Sequence, residues 1–303
     1  MAEQQGPAVR PVVTIGNFDG VHLGHRAVLD EAREVAGSGP LSVVTFEPHP
    51  LRVLRPDAAP LVLTPGPRKA ELLHGAGVDE VRVVPFTPEV AAWSPERFVD
   101  DVLATGLDAR AVVVGENFRF GHAAAGDVAL LRRLGEHRGF VVVPAPLAQV
   151  DGTGERVSSS LVRRMVAAGD VTGAARLLGR DHRVSGIVVH GDHRGRELGY
   201  PTANVEVRTD TAVPADGVYA SWLTVDAVRH PALTSIGTNP TFAGTQRRVE
   251  AWVLDRDDLD LYGRHADVDF ATRQRDTLTF SGVDSLVEQM RRDAVLGRRL
   301  LLG

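Results

Sequence analysis

The stretch Val12-Val13-Thr14-Ile15-Gly16-Asn17-Phe18-Asp19-Gly20-Val21-His22-Leu23-Gly24-His25 is a short apolar run, a glycine-rich turn and the opening of a helix-like segment. The same order of apolar run, polar or glycine-rich turn and helix recurs as far as residue 179, and such alternation predicts a parallel sheet with helices on its faces. The strands expected are Val12–Ile15, 41–46, 81–84, 111–114 and 140–143. One intervening helix opens at Ser94-Pro95-Glu96, where Ser94 can cap free N–H groups and Pro95 fills the first helical position. Two more follow the caps Ser158 and Asp170, with Gly169 and Gly179 as terminators.

Past residue 180 the residue usage changes. Short runs rich in Val, Thr, Trp and Tyr, at 184–189, 218–225 and 248–254, are separated by Gly, Pro, Asn and Asp, which reads as an antiparallel barrel or sandwich. A last helix over 283–300, with Leu286, Met290 and Leu296 assigned to one face, is expected to cap it. At 303 residues the chain exceeds one ordinary core, so two domains are expected, 1–181 and 182–303, joined by a short connection.

Composition narrows the function. Hydrophobic residues at 43% and charged residues at 24% are ordinary for a globular chain. A net charge of -5 with no basic block argues against a nucleic-acid partner. Having 0 Cys excludes disulfides, thiolate metal sites and a cysteine nucleophile, and fits a reducing cytoplasm. Neither a signal peptide nor a membrane span is read in the chain, and a homo-oligomer is left open.

The turn after the first strand lies where open α/β sheets bind ligands. Gly16, Gly20 and Gly24 let backbone approach a phosphate, and the helix starting near Leu23 offers it free N–H groups. His22 and His25, three apart, project from one face of the first turn and can stabilise charge developing at an α-phosphate. An isolated H-x-x-H is commonplace; here the strand before and the helix after give it a setting. Zinc on the two histidines is the weaker reading, since no third ligand stands at short spacing. In Ser158-Ser159-Ser160-Leu161-Val162-Arg163, Ser159 and Arg163 share a helical face and suit departing phosphates, although serine runs more often cap helices.

In the second half, Gly191-Asp192-His193-Arg194-Gly195-Arg196-Glu197-Leu198-Gly199-Tyr200-Pro201-Thr202-Ala203-Asn204 is a glycine-rich, arginine-bearing loop running into a strand, and no Walker-type motif occurs anywhere. Gly191, Arg194, Gly195, Arg196 and Gly199 can cover phosphates, while Thr202 and Asn204, two apart and pointing one way, offer neutral oxygens to Mg²⁺. By itself Pro-Thr-Ala-Asn reads as a turn entering a strand.

Together these segments resemble prokaryotic bifunctional riboflavin kinase/FAD synthetases over most of the chain. Phe46-Glu47-Pro48-His49-Pro50, Gly115-Glu116-Asn117-Phe118-Arg119-Phe120-Gly121, Asp216-Gly217-Val218-Tyr219, Ser235-Ile236-Gly237-Thr238-Asn239-Pro240-Thr241-Phe242 and Val249-Glu250-Ala251-Trp252-Val253-Leu254-Asp255 extend the match. The resemblance implies a Rossmann-like nucleotidyltransferase domain followed by a six-stranded antiparallel barrel with an added helix. It implies ATP with Mg²⁺ as co-substrate, riboflavin and FMN as acceptors, and FMN and FAD as products. In the first module it assigns the reacting phosphates to His22 and His25 and the nucleotide to Gly16, Asn17, Phe18, Asp19 and Gly24. It gives the leaving group to Ser159 and Arg163, and the flavin to Phe46, Pro48, His49, Asn117, Phe118 and Arg119. In the second, Glu250 is the catalytic carboxylate and Thr202 and Asn204 hold the metal. Ser160 stands where the family more often has Thr, and the hydroxyl is kept. A related transferase with another nucleotide or acceptor, and a flavin-binding protein without catalysis, are the competing expectations.

Overall fold

Val12-Val13-Thr14-Ile15 forms the first strand, β1 (Val12–Ile15), and all four side chains are buried, as a strand covered on both faces requires. The structure is a computed structural model that describes residues 9–146, 148–149, 155–190, 200–238 and 247–303. Contacts divide the chain into two compact units, Met1–Pro60 with Thr64–Ser158, and Leu61–Leu63 with Ser159–Gly303.

In the first unit β1 is followed by α1 (Leu23–Ala36), β2 (Leu41–Glu47), α2 (Pro50–Leu54), α3 (Gly66–His74), β3 (Glu80–Pro85), α4 (Pro88–Ala91), α5 (Pro95–Phe98), β4 (Ala111–Gly115), α6 (Val128–Arg138) and β5 (Val141–Ala145). The strands are parallel in the order β3-β2-β1-β4-β5, so the direction of winding reverses at β1. A crevice at the carboxyl ends of β1 and β4 follows from that order. Alternate residues of the strands feed two cores. Val13, Val44 and Val112 pack with Phe98, Leu103 and Leu131, while Val12, Val43 and Val113 pack with Leu29, Ala32 and Leu73 on the opposite face.

Ser94 caps α5 by accepting from the Arg97 N–H, but α5 is only four residues long and passes into a π-helical turn over Val99–Ala104. The fifth strand starts at Val141, one residue later than expected. The Phe140 N–H is spent on the Gly135 carbonyl at the end of α6, and its ring is buried with that helix.

The second unit holds α7 (Ser159–Ala168), α8 (Val171–Leu178), six antiparallel strands and a terminal helix α9 (Val283–Leu302). The strands are β6 (His182–Val189), β7 (Thr202–Val207), β8 (Gly217–Val225), β9 (Val228–Thr238), β10 (Arg247–Val253) and β11 (His265–Arg275). They close in the order β10-β7-β6-β11-β8-β9. Val184, Val205, Tyr219, Leu223, Val249 and Phe270 fill the barrel. Asp170 caps α8 through the Gly173 N–H at 2.8 Å, and Gly179 ends it at φ 69°.

The terminal helix departs from expectation at one position. Leu286 and Met290 face the barrel, but Leu296 is 41% exposed. Six residues from Met290 is 600° of helix, which leaves Leu296 about 120° round from Met290 and off the inward face. The inward places go to Asp293, Ala294 and Gly297, and a Cβ on Gly297 would lie 2.6 Å from Leu233 Cδ2. The helix needs small residues there to reach the barrel.

The change of residue usage near 180 marks the first barrel strand. The two helices before it fall on the barrel's side of the contact division, and Val171 of α8 is part of the barrel core. A fragment beginning at Ser159 is therefore expected to be more stable than one beginning at His182, by about 2 kcal/mol from burial of Val171 alone. Urea denaturation of the two fragments checks this, and equal midpoints and slopes would show that α7 and α8 add nothing.

Candidate active sites

In the first unit the polar groups gather at the carboxyl ends of β1 and β2. Gly16 extends the β1 ladder by one bond, N–H to the Val44 carbonyl at 3.0 Å, and a Cβ there would lie 3.2 Å from the Phe18 ring. Phe18 is buried at φ 49°, a left-handed conformation that costs a non-glycine residue about 1–3 kcal/mol. Asp19, also buried, accepts from the Thr64 N–H at 2.9 Å and ties the turn to the start of the α3 segment.

His22 caps α1, its Nδ1 accepting from the His25 N–H at 3.2 Å. With Nδ1 an acceptor, the neutral ring carries its proton on Nε2. The His25 ring lies parallel on it, centroids 3.6 Å apart and planes 14° apart. The expected common face is thus a stacked pair at a helix N-terminus, where the backbone dipole favours an anion.

His49 caps α2, accepting from the Leu51 N–H at 3.2 Å through Nδ1, and its Nε2 is 3.4 Å from Asn17 Nδ2. The loops after β1 and β2 therefore touch. Phe86, Phe46, Phe98, Phe120 and Phe118 form a row of rings with successive centroids 5.7, 6.3, 5.8 and 5.5 Å apart. The row joins the ends of β2 and β4, and its half-buried members Phe46 and Phe118 can lie against a planar ligand. Asn117 and Arg119 flank Phe118 and are exposed, as is Pro48, which follows a cis peptide bond.

Lys69 of α3 escaped the reading of the sequence. Its ammonium is buried 3.4 Å from the Asn17 carbonyl oxygen, 3.5 Å from that of Phe46 and 3.7 Å from Glu47 Oε2. Burial pushes its pKa below the usual lysine value, against the opposing pull of Glu47 and Asp19. A signal was present, since Lys69 is the only lysine in the chain.

Ser159 and Arg163 belong to the second unit, near the start of α7, where Arg163 Nε donates to the Leu61 carbonyl at 2.7 Å. On the barrel, Thr202, Asn204, Glu250 and Trp252 share the outer face. Asn204 pairs directly with Glu250, and Thr202 with Trp252, across β7 and β10. Asp216 anchors the start of β10 through Arg247, Nη2 to Oδ1 at 2.6 Å. Thr202 lines two cavities. One of 270 Å³ lies beneath α9 and is lined by Glu250, Trp252, Phe280, Leu286 and Met290; the other, of 70 Å³, is lined by Asn204, Arg256, Leu259 and Tyr262. Gly191, Arg194, Gly195, Arg196 and Gly199 lie outside the described residues, as do Asn239, Pro240, Thr241 and Phe242.

Family comparison matches residues 5–161 to FAD synthetase and residues 178–301 to riboflavin kinase. A bifunctional riboflavin kinase/FMN adenylyltransferase of Escherichia coli strain K12 is 39% identical over 297 residues, 97% of this chain and 94% of the relative. The chain belongs to the bifunctional riboflavin kinase/FMN adenylyltransferase family. Its relative of the same description in Bacillus subtilis strain 168 is 33% identical, over 94% of this chain and 90% of that one. Among solved structures, one described as a macrolide-efflux protein from Streptococcus pneumoniae superposes with a TM-score of 0.87 at 30% identity, covering 98% of this chain and 96% of that one. No helix among the described residues here is long and apolar enough to cross a membrane.

The stacked pair in this family member depends on Gly24. A Cβ there would lie 2.9 Å from the Val157 carbonyl oxygen and 3.1 Å from the His22 ring. Gly24→Ala is expected to destabilise the first unit by about 1–3 kcal/mol and to shift the imidazole resonances of both histidines. Denaturation and histidine-selective NMR check this; unchanged spectra would refute it.

Proposed function

We propose that the barrel unit transfers the γ-phosphoryl group of ATP to riboflavin, giving FMN, and that the sheet unit transfers AMP from a second ATP to FMN, giving FAD and pyrophosphate. Both reactions are assigned to the cytoplasm. The observation that carries the kinase reading is the apolar cavity beneath α9, which Glu250 and Thr202 line, with Asn204 directly opposite Glu250 across the β7–β10 pair. A flat, largely apolar flavin suits the cavity beneath α9, its side chain directed towards Glu250. The phosphates of ATP suit the side of Asn204.

Riboflavin presents an alcohol whose proton must leave as its oxygen attacks the γ-phosphorus. Glu250 is the general base: it takes that proton while the O–P bond forms and ADP departs. Thr202 and Asn204 present neutral oxygens beside this carboxylate, a donor set that fits Mg²⁺, which keeps much of its water and binds chiefly through phosphates. When bound, Mg²⁺ would neutralise charge on the transferring phosphoryl group.

FMN, by contrast, brings a phosphate already largely ionised at neutral pH, its second pKa being about 6. No base is then required. The sheet unit has to align that phosphate with the α-phosphorus and stabilise charge, a task for His22, His25 and the N–H groups of the turn 16–24. The aromatic row between Phe46 and Phe118 is assigned to the isoalloxazine, with His49 and Asn17 beside it.

Glu250→Gln is expected to lower FMN formation about 10²- to 10⁴-fold while FAD formation from added FMN persists. His22→Asn and His25→Asn should do the reverse, each by about 10²- to 10³-fold. Chromatographic assay of both flavins from one preparation checks the pair, and parallel loss of the two activities in a folded variant would refute the division of labour.

A further inference from the structure

Of 34 basic residues, 33 are arginine and one, Lys69, is lysine. It is 6% exposed, while Arg68 and Glu71 of the same helix pair with each other at 2.7 Å on the exposed side. In a chain that otherwise uses arginine, the choice at 69 is chemical. An ammonium is a compact charge that fits between two carbonyl oxygens, whereas a guanidinium needs a flat, wider site.

The contacts of Nζ with the Asn17 and Phe46 carbonyls, at 3.4 and 3.5 Å, are long for hydrogen bonds, so charge contributes more than directed bonding. Thr45 Oγ1 donates to the same Asn17 oxygen at 3.1 Å. In a trans peptide the carbonyl and the following N–H point in opposite directions, so drawing the Asn17 carbonyl inward turns the Phe18 N–H outward. That peptide leads directly into Phe18 at φ 49°, a conformation that persists only where its surroundings impose it.

Granted the adenylylation site proposed above, we propose that Lys69 is a positioning residue for ATP: its buried ammonium holds the Asn17 carbonyl inward, so that the turn after β1 presents N–H groups to the phosphates. Lys69 itself does not touch the nucleotide. It stands behind the turn as a fixed countercharge, and Thr45 shares the same carbonyl.

A sole lysine makes the test direct. Full-length protein labelled with ¹³Cε-lysine gives a single side-chain resonance, expected to shift on adding Mg²⁺ and a non-hydrolysable ATP analogue and to stay in place with FMN alone. Lys69→Met is expected to lower kcat/KM for ATP in FMN adenylylation about 10²-fold, mostly through KM, with KM for FMN changed less than about twofold. Riboflavin phosphorylation by the same preparation should be unchanged, and circular dichroism with thermal denaturation of the variant reports whether the sheet unit is folded. An ATP KM within about twofold of the parent in a folded Lys69→Met, or an equal rise in both KM values, overturns the role. Should that variant not fold, Thr45→Val removes the other donor at nearly constant volume. It is expected to raise the ATP KM about threefold to tenfold, and no change overturns the role. Parent protein that forms no FAD from FMN and ATP would overturn the adenylylation reading itself, and is distinguished by that control.

Discussion

Side-chain alternation along β10 is the constraint on which the barrel half depends. Val249, Ala251 and Val253 fill the barrel, so Glu250 and Trp252 must face outward. The pairing register then sets Asn204 opposite Glu250 and Thr202 opposite Trp252. A slip of one residue would carry Glu250 into an apolar core and turn three core residues to the outside. Burying a carboxylate without a partner is costly enough that the register and the position of the carboxylate are one and the same choice. What remains is to enclose that outer face, and α9 does so by approaching closely through Ala294 and Gly297 while Arg275 grips Asp293, Nη2 to Oδ2 at 2.6 Å. The result is a cavity with a charged edge in place of a closed seam.

The sheet half solves a different problem with the opposite geometry. Parallel strands bring their carboxyl ends to one side, so the loops after β1, β2 and β4 converge without any long connection. A chain with a net charge of -5 must then hold polyphosphate by local means. Under the roles proposed above, it does so with backbone N–H groups, a stacked imidazole pair and a cation placed behind the turn, which together offer positive potential without a basic surface. The strained Phe18 fits this picture, since its conformation is held from behind by the carbonyl preceding it and from the side by burial of its own ring.

Much of this was legible in the sequence because it is local. Strand and helix order, the caps Ser94 and Asp170, the common face of Thr202 and Asn204 and the pairing of His22 with His25 all follow from spacing over a few residues. What was not legible is tertiary. Leu296 has the right residue type for a buried face but the wrong angle, and only the demand of Leu233 for a glycine opposite it reveals which side is inward. The assignment of α7 and α8 to the barrel side depends on Val171 meeting the barrel core, which no periodicity records. Lys69 meets its neighbours only in the fold, since its contacts with Asn17 and Phe46 span 52 and 23 residues.

With the roles assigned above, the two sites treat the shared intermediate in opposite ways. FMN formed beside Glu250 carries a new dianionic phosphate, and once Glu250 has released the proton it accepted, carboxylate and phosphate repel each other across a partly desolvated cavity. The same phosphate at the turn after β1 meets imidazoles, N–H groups and the field of Lys69, all of which favour it. Riboflavin, which lacks the phosphate, gains nothing from that field, so the sheet unit need not exclude it by shape. Charge that is created in one reaction is thereby what selects the substrate of the next, and the flavin ring, common to both, can be gripped by aromatic stacking in one unit and by an apolar cavity in the other without compromising that selection.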